Sequence, residues 1–262
     1  MTLEPIQYLL GALSGVLVGF VLGLGGGGGS ILAVPLIVYL VGVSDAHLAI
    51  GTSAFAVAVN AVSGLANHAR GGTVKWRCAS VFAASGIVGA LVGSSLGKAF
   101  DGQKLLFLFA LVMIVVGVVM LRGRNSSGNA DVRLGRENAG KLVAYGLGVG
   151  AFSGFFGIGG GFLIVPGLVA ATGMAMINAI GSSLVAVTAF GLTTAGSYAL
   201  SGLVDWPLAL VFVAGGVGGS FAGTRLAGHL SEQRGVLTTV FALLIFAVAA
   251  YMLWRSGSAL LG

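Results

Sequence analysis

Two glycine runs carry the sharpest chemical signal in the chain. Gly25–Gly29 is followed by Ser30 and an apolar stretch ending at Pro35, and a second version runs from Gly157 through Gly159, Gly160 and Gly161 to Pro166. Consecutive glycines interrupt a helix and free backbone N–H and C=O groups. In hydrocarbon, such backbone is tolerated only where it is buried in protein or lines a water-filled cavity. A short helix beginning near Ser30 or Gly161 would present its first N–H groups and the positive end of its dipole at that point. That chemistry suits a negatively charged ligand. The candidate contacts are Gly28, Gly29, Ser30, Gly159, Gly160 and Gly161.

Hydroxyls recur with the glycines. Gly51-Thr52-Ser53 and Gly181-Ser182-Ser183 follow the two runs at matching distances. Thr52, Ser53, Ser182 and Ser183 could donate to anionic oxygens. The competing reading is a bond back to the carbonyl one turn earlier, common in membrane helices. Asn60, Ser63, Thr188, Thr193 and Thr194 are expected to hydrogen-bond between helices. Asn60 is kept among the anion contacts as well, because polar groups at depth tend to be functional. Arg70, beside Asn67 and His68, is a gate candidate that could attract anions, although anchoring at a cytoplasmic helix end explains it equally. Arg225 is expected to snorkel.

The elements that must position these residues are apolar. Of 262 residues, 57% are hydrophobic and 8% charged, against about 25% charged in a soluble domain. No Asp, Glu, Lys or Arg lies between Glu4 and Asp45 or between Lys141 and Asp205, and a crossing helix needs about 20 apolar residues. The composition excludes a soluble enzyme and predicts an all-α polytopic membrane protein. The runs do not alternate as β-barrel strands do. The net charge of +6 resides in short connectors, where orientation signals belong, so no nucleic-acid partner is expected. Residues 6–22 lack a basic leader and are not read as a signal peptide. Cys78 is alone and cannot form an internal disulfide.

Apolar segments at about 6–22, 31–42, 47–66, 79–97 and 104–121 are followed by 141–156, 162–172, 177–200, 207–227 and 236–254. The stretches 31–42 and 162–172 are too short to span alone. At an offset of 131, Gly15, Gly19, Gly28, Gly29 and Pro35 fall on Gly146, Gly150, Gly159, Gly160 and Pro166. At 130, Gly51, Trp76, Gly86, Gly89 and Gly93 fall on Gly181, Trp206, Gly216, Gly219 and Gly223. The chain reads as a tandem duplication: an N-terminal membrane repeat 1–121, a polar cytoplasmic linker 122–140 and a C-terminal membrane repeat 141–262. Glycines spaced by four (Gly11, Gly15, Gly19, Gly23; Gly89, Gly93, Gly97; Gly215, Gly219, Gly223) are assigned to helix contact.

Arg70, Lys75 and Arg77 flank one connector, whereas its counterpart at 201–206 holds only Asp205. Placing 70–77 and 122–141 in the cytoplasm leaves 201–206 and both termini outside, so equivalent loops lie on opposite sides. Two inverted-topology helical repeats with short broken or re-entrant helices at the glycine loops are therefore expected. The loop at 98–104, with Lys98 and Lys104 against Asp101, runs against this bias.

Gly23-Leu-Gly25-Gly-Gly-Gly28, with Asp45 downstream, also satisfies a dinucleotide-binding pattern, but that fingerprint needs a preceding strand in a βαβ unit. An intramembrane enzyme would need a nucleophile with a base, or a metal cluster. His47, His68 and His229 lie at segment ends without ligand spacing, so neither catalytic residues nor a metal or other cofactor are expected.

Gly25 to Pro35 followed by Ala49-Ile-Gly-Thr-Ser53, repeated as Gly157 to Pro166 and Ala179-Ile-Gly-Ser-Ser183, resembles the TauE/SafE sulfite exporter family over nearly the whole chain outside 122–140. The resemblance implies a multi-pass permease in a bacterial or archaeal inner membrane. It implies export of a small sulfur-containing anion such as sulfite, sulfoacetate or another organosulfonate, driven by protons. It also places Gly28, Gly29, Ser30, Thr52, Ser53, Gly159, Gly160, Gly161, Ser182 and Ser183 at the site. The residues themselves reach only an anion; the sulfur comes from the resemblance. Alternating access is the expected mechanism, with a passive small-anion channel or a permease for a non-sulfur organic anion as the alternative. The expected partners are the small anion, the lipid bilayer and the coupling proton, in a monomer or a homodimer.

Overall fold

The computed structural model describes residues 3–122, 129, 132–157, 161–229, 242–243 and 245–255. Helix α1 spans Pro5–Gly25. A composite segment, α2, follows: a 3-10 stretch Gly26–Leu32, one α turn Ala33–Pro35 and a π stretch Leu36–Val41. Then come α3 (Ala46–Arg70), α4 (Trp76–Ala99), α5 (Gly102–Arg122), α6 (Arg136–Phe156), α7 (Gly161–Thr172), α8 (Met176–Ala199) and α9 (Trp206–His229). A last short helix, α10, covers Ile245–Arg255. Seven of these helices are long and apolar enough to cross a membrane, while α2, α7 and α10 are shorter. The chain is an all-α polytopic membrane protein. Of the apolar segment expected at 236–254, residues 242–243 and 245–254 are described and helical.

Local chemistry sets the helix starts. The Asp45 carboxylate accepts from the N–H groups of His47 at 2.8 Å and Leu48 at 3.2 Å. Asp101 accepts from Lys104 N–H at 3.0 Å, and Asp205 from Leu208 N–H at 3.0 Å. Each such cap contributes about 1 kcal/mol. Asp45, weighed above as the acidic partner of a nucleotide pattern, is thus a helix cap, and the glycines before it follow a helix.

Glycine-lined seams hold the bundle together, and they join one half of the chain to the other. Along α1 and α9, which run parallel, a Cβ at Gly15 would strike the carbonyl of Phe212, one at Gly19 that of Gly216, and one at Gly219 that of Val16. Along α4 and α6 the same pattern returns: Gly89 faces the carbonyl of Leu147, Gly93 that of Ala151 and Gly150 that of Gly86. Missing side chains let the backbones approach to van der Waals distance, where dispersion replaces the absent hydrophobic drive between helices in lipid.

Between the two seams, α3 and α8 cross antiparallel. Gly51 meets Tyr198 and Leu203, Gly191 meets Ala58, Gly64 meets Leu184, and Gly181 meets His68 and Thr73. One end of the bundle therefore gathers Asp45, Asp101 and the 200–205 turn, and Lys98 Nζ ties into it by donating to Ser201 Oγ at 3.0 Å. The opposite end gathers the 71–75 turn and Gly173–Ala175, where Asn129 pairs through its backbone with both residues.

Candidate functional site

Each half breaks its helix where the glycines predict, but the two breaks differ. In the second half α6 stops at Phe156 and Gly157 takes φ +67°, with its N–H directed to the Gly154 carbonyl at 3.3 Å. That left-handed conformation suits glycine, and a Cβ there would also run into Ile50 of α3. The α7 helix begins at Gly161, as expected, and Gly161 is buried. Gly159 and Gly160 lie outside the described residues.

In the first half the expected α-helix from Ser30 does not form. The chain passes from α1 straight into 3-10 geometry over Gly26–Leu32, which includes Gly28, Gly29 and Ser30, and only Ala33–Pro35 is α-helical. Glycines without side chains accept the tighter winding, and Pro35 cannot donate to a carbonyl one turn back. Gly29 turns the chain directly against α1: a Cβ there would lie 2.7 Å from the Leu22 nitrogen and 2.8 Å from the Val18 oxygen. Ser30 is fully buried. Gln7 Nε2 donates to the Val41 carbonyl at 2.9 Å, so α2 returns to the end from which α1 started.

Both broken segments pack across the halves. The Gly26–Leu32 stretch packs on α7 and on α8, while Gly157 packs on α3 through Ile50. Each described edge of a break thus packs against the other half of the chain, and Gly29, Ser30 and Gly161 are buried.

All four hydroxyl candidates are fully buried, and they divide into two matched pairs. Ser53 donates to the Ile50 carbonyl at 2.9 Å and Ser183 to the Ile180 carbonyl at 2.7 Å, which is the back-bonding alternative. Thr52 and Ser182 reach across the halves. The Asp205 N–H donates to Thr52 Oγ1 at 2.9 Å, and the Lys75 N–H donates to Ser182 Oγ at 2.9 Å. Sequence spacing pairs Thr52 with Ser182 and Lys75 with Asp205, but it gives no hint that the members of one pair bond the other.

Asn60 is fully buried, and neither Nδ2 nor Oδ1 has a hydrogen-bond partner. Its amide lies on Gly216 of α9, where a Cβ would collide with it. The equivalent residue of the second half, Phe190, covers Gly86 in the same way and stacks on Phe82 at 6.1 Å. The expected bonds between helices are not made at Asn60 or at Thr194. Thr188 and Thr193 instead donate within their own helix, to Leu184 at 2.8 Å and Ala189 at 2.7 Å. A threonine hydroxyl reaches the carbonyl one turn back without any partner helix, so the local bond wins. Arg70 is exposed as the last residue of α3, and the Arg225 guanidinium stacks on Phe221 at 4.1 Å.

A family model described as sulfite exporter TauE/SafE matches residues 11–252. A protein of Xylella fastidiosa (strain Temecula1) named "Probable membrane transporter protein" is 52% identical, with 99% of each chain covered. YunE of Bacillus subtilis, which bears the same description, is 26% identical over 93% of this chain and 94% of its own. A Haemophilus influenzae protein so described is 27% identical over 93% and 97%. No solved structure matches the chain.

Proposed function

We propose a substrate and a mechanism on one premise: the chain belongs to the sulfite exporter TauE/SafE family and is a membrane transporter. The substrate is a small sulfur-containing oxyanion, sulfite or an organosulfonate. It is exported across the inner membrane of a bacterium or archaeon by alternating access, with protons as the coupling ion. The observation that carries this reading is the packing of the first half's broken segment, Gly26–Leu32, on α7 and α8 of the second half, with Ser30 and Gly161 buried. Irregular backbone at depth in a membrane protein is tolerated where it is buried in protein or lines a water-filled cavity, and paired broken helices at the interface of two repeats are how many transporters hold ions.

In this reading Gly28, Gly29 and Ser30 form one wall of the site. The N-terminus of α7 at Gly161, with Gly159 and Gly160 before it, forms the other. The backbone amides face the anion, and the positive dipole end of α7 adds to its attraction. Thr52 and Ser53 of α3 bound the site toward the 200–205 end and Ser182 and Ser183 of α8 toward the 71–75 end, and Asn60 offers an amide with unmet hydrogen-bonding capacity. The halves act as inverted repeats: α3 and α8 are equivalent in sequence and cross antiparallel. Arg70, Lys75, Arg77, Arg133, Arg136 and Lys141 put the 71–75 end in the cytoplasm, with Arg70 at the mouth.

The test is transport in proteoliposomes. Purified protein should move labelled sulfite against its gradient when a pH gradient is imposed, and Gly28→Val or Gly160→Val should abolish movement while leaving membrane insertion intact. Sulfite flux that only dissipates its own gradient would favour the channel. Accumulation of acetate but not sulfite would favour a non-sulfur anion. Normal transport by both glycine variants would remove the proposed site.

A further inference from the structure

Lys98 stands on the wrong side of the charge pattern. The bundle end that holds Asp45, Asp101 and Asp205 is otherwise poor in cations, yet Lys98 at the end of α4 is partly buried there. Its Nζ donates to the Ser197 carbonyl at 2.9 Å and to Ser201 Oγ at 3.0 Å, and it lies 5.8 Å from the centre of the Tyr198 ring. An ammonium carries three donors, so one remains beyond these two acceptors.

That lysine tops a groove of about 460 Å³ between α4 and α8. Ile87 and Leu91 form one wall, and Leu192 and Leu200 the other. Gly196 lies on the floor, with nothing within 4 Å of the place its Cβ would take. The trough is shallow and opens outward: Leu91 is 50% exposed, Leu192 48% and Leu200 92%. On the bundle surface of a membrane protein, that opening faces the acyl chains. The groove is not a by-product of the duplication. At the place on α9 equivalent to Leu91 stands Phe221, with the Arg225 guanidinium stacked on it at 4.1 Å.

We propose that this groove binds one anionic phospholipid, its headgroup phosphate on Lys98 and an acyl chain along Ile87, Leu91 and Leu192 over Gly196. An apolar trough ending in a single cation at a helix end matches an amphiphile with a negative head, and a free anion has no use for the trough. Lys98 is then retained against the orientation bias because it holds a lipid of its own leaflet.

The experiment uses the purified full chain in neutral detergent. Unfolding temperature is followed as phosphatidylglycerol or phosphatidylcholine is added, and retained lipid is counted by native mass spectrometry. Phosphatidylglycerol should raise the wild-type midpoint by about 5 °C more than phosphatidylcholine, with one molecule retained. Lys98→Gln should erase that difference, and Gly196→Leu, which fills open space, should displace the lipid while folding normally. Lys104→Gln, at an exposed lysine in the first turn of α5, should behave as wild type. Equal shifts from both lipids in wild type, an unchanged preference in Lys98→Gln or in Gly196→Leu, or the same shift from inorganic phosphate alone would overturn the proposal. Should Lys98→Gln fail to fold, the Gly196→Leu comparison decides it.

Discussion

The backbone N–H of Lys75 donates to the hydroxyl of Ser182 at 2.9 Å. The equivalent bond, from the Asp205 N–H to Thr52, also measures 2.9 Å and closes the opposite end of the bundle. The Asn178 side chain reinforces the first clasp by donating to the Thr73 carbonyl at 2.9 Å. The proposed alternating-access cycle requires these clasps to part in turn. Thr52→Val should raise the reactivity of a cysteine placed at Leu203 toward an impermeant thiol reagent, and Ser182→Ala should do so at Thr73. Each change should cost about 0.5–1.5 kcal/mol, and the pair should add, because distant sites are independent. Equal labelling at both ends in either variant would count against separate clasps.

A buried amide without partners is expensive. Leaving each group unsatisfied costs about 1–3 kcal/mol, and Asn60 has two such atoms. Asn60→Leu, close in volume, should raise the thermal midpoint in detergent by a few degrees and sharply reduce anion transport. A drop in both stability and transport would mark Asn60 as structural only.

The glycine seams make a prediction that spacing alone does not. On α9, a Cβ at Gly219 would strike the Val16 carbonyl, while Gly218 next to it has open space. Gly219→Ala should force α1 and α9 apart and cut the yield of folded protein severely. Gly218→Ala should be neutral or stabilise by up to about 1 kcal/mol through helix propensity. Thermal unfolding of the two variants side by side checks this.

Much of this architecture was legible from residue order. The offset of 130 maps the start of α4 at Trp76 onto the start of α9 at Trp206, and the four-residue glycine spacing marked the contact faces. Period and spacing report which face of a helix is smooth, but not which helix lies against it. The exchange of partners between halves was therefore hidden. The 3-10 geometry at Ser30 was hidden for a different reason: glycine has no strong preference, so neighbours on α1, α7 and α8 decide its winding. Hydroxyl type likewise cannot show whether Thr52 serves an anion or a backbone N–H; that depends on a loop 153 residues away.

A stabilising residue at Gly29 should be impossible without cost, since its Cβ would press on the backbone of Leu22 and Val18. Gly29→Ala should lower transport at least tenfold while the protein still reaches the membrane. Retained transport would show that the close turn back along α1 is dispensable.

The cross-partnered seams also bear on how the chain is made. During synthesis α1 leaves the ribosome long before α9, its parallel neighbour, exists, and α4 likewise precedes α6. The N-terminal helices must wait in the bilayer with their glycine faces uncovered until later helices arrive. A chain that stopped near the 122–140 linker would keep open on α1 and α4 the glycine faces that α9 and α6 cover in the whole bundle.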